Sequence, residues 1–131
     1  MLIPDDFTNS GSTLFGGGAI VRKHCKGGGA KSVRVAAFVT HFVAKYDASV
    51  VKKFVARLYS EGELTSDLDH FYTSDTVACS VGWLQEELGK RDGRPRATVM
   101  TVAPVIGAWL RESGALAELE TKASNCAIGV S

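Results

Sequence analysis

From Ser32 onward the apolar positions recur with a period near 3.6, since Val35, Phe38, Val39, Phe42, Val43 and Tyr46 fall at i, i+3, i+4, i+7, i+8 and i+11. That spacing predicts an amphipathic helix. Asp47 offers a side-chain acceptor as N-cap for a second helix, in which Val50, Val51, Phe54, Val55 and Leu58 share one side and Gly62 serves as C′. Lys52, Lys53 and Arg57 sit opposite that stripe, which makes the second helix basic. Thr65 or Ser66 caps a short helical piece running through Tyr72, and Ser74 caps a longer one carrying Val77, Val81, Leu84 and Leu88, closed by Gly89 or Gly93. The segment Ala-Thr-Val-Met-Thr-Val, residues 97–102, is β-branched enough for a strand. Val99, Val102, Ala103, Ile106 and Leu110 also fit a helix kinked at Pro104, and helix is preferred because no sure partner strand is evident. Residues 115–123 form a short helix by propensity, and a tail follows.

The first 32 residues read differently. Gly16-Gly17-Gly18 and Gly27-Gly28-Gly29 bracket Ala19 to Lys26, a piece that suits either a short strand or a flexible basic segment. The expected architecture is therefore all-α, with about five helices in one compact bundle (33–125), a Gly-rich basic N-terminal arm (1–32) and a tail (126–131). A chain of 131 residues, 45% apolar and 22% charged, suits one globular domain with its own core.

Charge placement adds the functional expectation. The net charge is only +1, yet residues 20–57 hold nine cations against Asp47 alone. These are Arg22, Lys23, Lys26, Lys31, Arg34, Lys45, Lys52, Lys53 and Arg57; a second cluster, with Arg94 and Arg96, follows Gly89. Solvated helix faces usually interleave both signs, so a block this basic points to polyanions. The expectation is a non-enzymatic nucleic-acid-binding protein that contacts phosphates through the arm and the first two helices, RNA before DNA. The acidic later part suggests self-association into a homo-oligomer. A small viral nucleocapsid or coat protein would share that design. The alternative is an adaptor or inhibitor whose basic face docks an acidic partner.

Other chemistry finds less support. Lys26-Gly-Gly-Gly-Ala-Lys-Ser32 half resembles a phosphate-binding loop running into the first helix, but Ala30 and Cys25 stand where glycines are required. Backbone N–H groups beside Lys31 and Ser32 would still suit a phosphate. Phe54 to Phe71 makes a poor helix-turn-helix, because Asp67 and Asp69 would face DNA phosphates. No Cys-x-x-Cys or His-x-x-x-His pair is present, so neither metal nor cofactor is expected. Cys25 lies among cations that favour its thiolate, without an evident catalytic partner. Three widely spaced cysteines make no disulfide framework and suggest a reducing, intracellular setting, the cytoplasm or a virion. The longest apolar stretch, residues 99–110, is too short for a bilayer, and no membrane association is expected.

Overall fold

A computed structural model describes residues 1–62 and 66–114. Its described residues divide into two units, the first covering residues 1–100 and the second starting at Thr101. The first alternates strand and helix: β1 (Leu2–Thr8), α1 (Ser12–Gly27), β2 (Ala36–Phe42), α2 (Ala48–Leu58), β3 (His70–Ser74), α3 (Ala78–Gly89) and β4 (Ala97–Met100). The strands form one parallel sheet in the order β1-β2-β3-β4. The fold is α/β, and the expected all-α bundle is incorrect.

Each helix is a crossover between neighbouring parallel strands, and crossovers of one hand that always step the same way leave their helices on one face of the sheet. The core agrees. Leu14 and Phe15 of α1, Val51, Phe54 and Val55 of α2 and Leu84 of α3 form one buried cluster with Ala37 and Val39 of β2 and Phe71 of β3. Four phenylalanines interlock in it: ring centroids lie 5.4 Å apart for Phe15 and Phe54, 4.9 Å for Phe42 and Phe54, and 4.7 Å for Phe54 and Phe71. The other face of β2 and β3 carries Ala36, Phe38, His70 and Tyr72, all half-buried.

The helix expected from Ser32 is therefore strand β2. It carries apolar residues on both faces, Ala37 and Val39 buried on one and Ala36 and Phe38 half-buried on the other, and a run of this kind imitates a helical period. The short helix expected through Tyr72 is strand β3, where Phe71 pairs with Ala37 on one side and Ala97 on the other. Residues 97–100, expected to be helical, are β4. The Gly-rich arm is instead β1 and α1, folded into the core. The triplet Gly16 to Gly18 lies inside α1, where a Cβ on Gly18 would sit 2.9 Å from the Asp67 carbonyl oxygen. The glycine lets the helix pass close to that backbone.

Helix α2 is where the sequence placed it. Asp47 caps it by accepting from the Ser49 N–H at 2.7 Å. It stops at Leu58, however, and the left-handed residue that ends it is Ser60 (φ 58°), with the Glu61 N–H returning to the Ala56 carbonyl at 2.9 Å. Helix α3 also matches expectation, although its N-cap is Val77 rather than Ser74.

The second unit shows α4 (Ala103–Glu112), with Pro104 in its first turn, where proline starts a helix instead of kinking it. Val105, Ile106 and Trp109 are exposed on it. The helix expected over residues 115–123 and the tail lie outside the described residues. Among the described residues no helix is long and apolar enough to cross a membrane.

Candidate functional site

In an open parallel sheet the carboxyl ends of the strands, where chain turns into helix N-termini, are the usual place for ligands. Here that end holds a cavity of about 390 Å³ between the β1–α1 loop and the turn after β2. Asp5 and Asp6 of β1 line it, followed by Asn9, Ser10, Gly11, Ser12 and Thr13 of the loop and first turn, with Lys45 on the far side. Helix α1 runs straight out of this loop.

Two local features build the rim. Gly11 stands at the N-cap of α1 in a left-handed conformation (φ 74°), and a Cβ there would lie 2.5 Å from the Phe54 ring. Only glycine fits, so the first turn begins hard against the core. Among the described residues no side chain caps this helix, which leaves its leading N–H groups facing the cavity end. The second feature is the turn after β2. Ala44, Lys45 and Tyr46 all adopt positive φ, at 48°, 53° and 52°. Each such residue without glycine costs on the order of 1 kcal/mol, and strain of this type collects at functional sites. The turn is held by burial of Ala44, by the Val43 N–H donating to the Thr8 carbonyl at 3.0 Å, and by the Lys45 N–H donating to Asn9 Oδ1 at 3.2 Å. It places Lys45 across from the loop.

The chemistry of this end follows from its donors. Leading N–H groups, the hydroxyls of Ser10, Ser12 and Thr13 and the Lys45 ammonium suit a phosphate. The carboxylates of Asp5 and Asp6 accept hydroxyl protons, or hold a divalent cation whose remaining ligands are phosphate oxygens and water. Among the described residues no group of three or more His, Cys, Asp or Glu side chains could hold a metal unaided. Beside this end, Ser80 Oγ donates to the Val43 carbonyl at 2.6 Å, and Thr76 Oγ1 donates to the Thr40 carbonyl at 2.9 Å while lying 2.7 Å from His41 Nδ1. These bonds tie the β3–α3 connection to the end of β2.

The cations singled out from sequence are distributed over several places. Arg22 is a clamp: it donates to the carbonyls of Asp67 and Val33, both at 2.9 Å, and to Asp69 Oδ2 at 2.7 Å. The Asp69 oxygen also accepts the Val35 N–H at 2.6 Å. Partial burial pushes Asp69 up, but the Val35 N–H and Arg22 outweigh it and hold the carboxyl below its ordinary value. Arg57 lies with its guanidinium carbon 4.4 Å from the Phe15 ring centroid. Lys23 and Lys26 on α1 and Lys52 and Lys53 on α2 are exposed on the helical layer, and Lys31 is exposed in the loop before β2. Arg34, Arg94 and Arg96 gather at the amino ends of the strands, and only Lys45 reaches the carboxyl-end cavity. The helix N-terminus expected beside Lys31 and Ser32 does not exist, because that segment leads into a strand.

Sequence reasoning missed Asp5, Asp6, Ser10, Ser12 and Thr13. The signal was present as an apolar start ending in two acids, then a hydroxyl- and glycine-rich loop before Leu14 and Phe15. It reads as strand, loop and helix once the segment is not taken for an arm. Comparison with protein-family models, curated proteins and solved structures returns no match.

Proposed function

We propose that this protein binds a phosphorylated sugar, of the sugar-phosphate or nucleotide class, at the carboxyl end of its sheet. The observation that carries the reading is the joining of opposite preferences within one 390 Å³ cavity, whose lining holds a helix start with no side-chain cap, hydroxyls and Lys45 together with Asp5 and Asp6. A bare anion would be repelled by the two carboxylates. A ligand carrying phosphate at one end and vicinal hydroxyls at the other satisfies both, as acidic residues do with ribose hydroxyls beside a phosphate-binding helix N-terminus. A magnesium ion shared between a carboxylate and the phosphate would serve the same balance. Titration calorimetry with ribose 5-phosphate, with and without magnesium, tests this. Saturable binding weakened at least about tenfold, or 1.4 kcal/mol, by Asp6→Asn or Lys45→Ala is expected. No heat of binding at about 10 mM ligand, weaker than the millimolar range, overturns it.

A second reading, nucleic-acid binding by a self-associating module, is favoured by the exposure of Lys23, Lys26, Lys52 and Lys53 on two helices whose Phe15 and Phe54 rings meet in the core. Lysines of that kind meet phosphates without reading bases. RNA binding that falls steeply with salt and is lost on Lys52→Glu with Lys53→Glu supports it, and a flat salt response removes it.

A further inference from the structure

The amino ends of the strands carry a second cavity, about 620 Å³ in volume, which neither reading above uses. Parallel register brings the lead-in segments of β2, β3 and β4 together there, since Ala36 pairs with His70 and Tyr72 with Thr98. Arg34 comes from the first segment, His70 and Tyr72 from β3, Arg94 and Arg96 from the third segment, and Thr98 from β4.

Positive charge there is in excess. Asp69 is the one carboxylate among the cavity's lining residues, and its Oδ2 is already taken by Arg22 and the Val35 N–H. Arg96 is anchored by donating to the Leu58 carbonyl at 2.9 Å, whereas Arg34 and Arg94 are exposed at the mouth. The floor is polar and ordered: His70 Nε2 lies 2.8 Å from Thr98 Oγ1, and the His70 and Tyr72 ring centroids are 4.5 Å apart. Burial, and then the field of Arg94, hold the His70 imidazole below its ordinary pKa. Both causes favour the neutral imidazole, and His70 sits within reach of the arginine charge.

We infer that this cavity is an anion site for a pyrophosphate-type group, held between Arg34 and Arg94 at the mouth, Arg96 at the side, and the hydroxyl and imidazole groups of the floor. Paired arginines suit two linked phosphates better than a single small anion, because each fork takes two oxygens. The site is independent of the proposed sugar-phosphate cavity, which lies roughly 20 Å away along strands of this length.

His70 gives a local readout, because an anion beside it offsets Arg94 and favours the imidazolium. The chain has three histidines, so their imidazole proton resonances are separable by substitution of His24 and His41. Inorganic pyrophosphate is expected to raise the His70 midpoint by about half a unit or more. Sulfate at matched ionic strength is expected to do so only at tenfold or higher concentration. In the Arg34→Ser, Arg94→Ser variant the free midpoint starts higher, since a repelling charge is gone, and no longer responds. The Arg34→Lys, Arg94→Lys variant keeps a reduced response. A His70 midpoint indifferent to pyrophosphate, equal sensitivity to sulfate, or an undiminished response in the serine variant overturns the assignment. Should the double variant lose its native amide spectrum, Arg94→Gln alone decides by the same criteria. Asp6→Asn leaves the His70 response intact, so failure of the sugar-phosphate reading and failure of this one are separable.

Discussion

Replacing Gly11 by alanine tests the claim that the β1–α1 loop is built against the core. The φ of 74° is left-handed, which costs an alanine about 1 to 2 kcal/mol. The added Cβ would also lie 2.5 and 2.6 Å from two Phe54 ring carbons and 3.1 Å from Phe15. Neither ring has space to retreat, because Phe54 is packed against Phe15, Phe42 and Phe71. Overpacking of such a core costs about 1 to 3 kcal/mol more. Gly11→Ala should therefore lose about 2 to 5 kcal/mol. In urea unfolding with a slope of about 1 to 3 kcal/mol/M, a loss of 3 kcal/mol moves the midpoint down by about 1 to 3 M. Gly16→Ala is the matched control, since a Cβ there meets nothing within 4 Å and the residue is mid-helix. It should raise stability by about 0.5 to 1 kcal/mol. A Gly11→Ala midpoint within about 1 kcal/mol of the parent would refute the packing argument for this loop.

Gly18→Ala should destabilise by about 1 to 3 kcal/mol, because its Cβ would press on the Asp67 backbone at 2.9 Å; urea unfolding compared with Gly16→Ala measures the difference. Arg22→Ala removes three bonds that join α1 to the segments entering β2 and β3, a loss of about 2 to 4 kcal/mol read from thermal and urea midpoints. Stability should fall on acidification. Asp69 is held low as Val35 and Arg22 outweigh burial, and Glu87 is held low by Lys90 and then Arg91. Both contributions are complete above the unfolded carboxylate pKa and disappear as pH drops through the lower folded values. Urea midpoints from pH 7 to pH 2.5 should show that decline, shallower in Asp69→Asn. Ser60→Gly relieves a left-handed residue but gives up the bond from the Ser66 N–H at 3.1 Å, so a net gain of at most about 1 kcal/mol is expected, and a marked loss would contradict the reading of that helix end.

Local signals were sufficient for some elements. Helix α2 was legible because its apolar stripe, its Asp47 cap and its exposed lysines all come from neighbours in sequence. Helix α3 was legible for the same reason, and the alternative of a strand over residues 97–102 was visible in its β-branched residues. The candidate site was not read: of its lining residues only Lys45 had been picked out, and for its charge rather than its place.

What the tertiary structure alone decided is which segments pair. A parallel strand finds its partner across a whole helix, so nothing next to Val35 to Val43 announces that this run lies between β1 and β3 instead of coiling. Apolar residues on both faces, one buried and the other half-buried, erase the alternation that would mark a strand. Likewise Gly18, at the end of the 16–18 triplet, looks like a breaker until the backbone of Asp67 is brought against it. The sequence by itself determined the helices with local caps and one-sided faces. The sheet, the cavity at each of its ends and the scattering of the basic block came from contacts between residues distant in the chain, which only folding brings together.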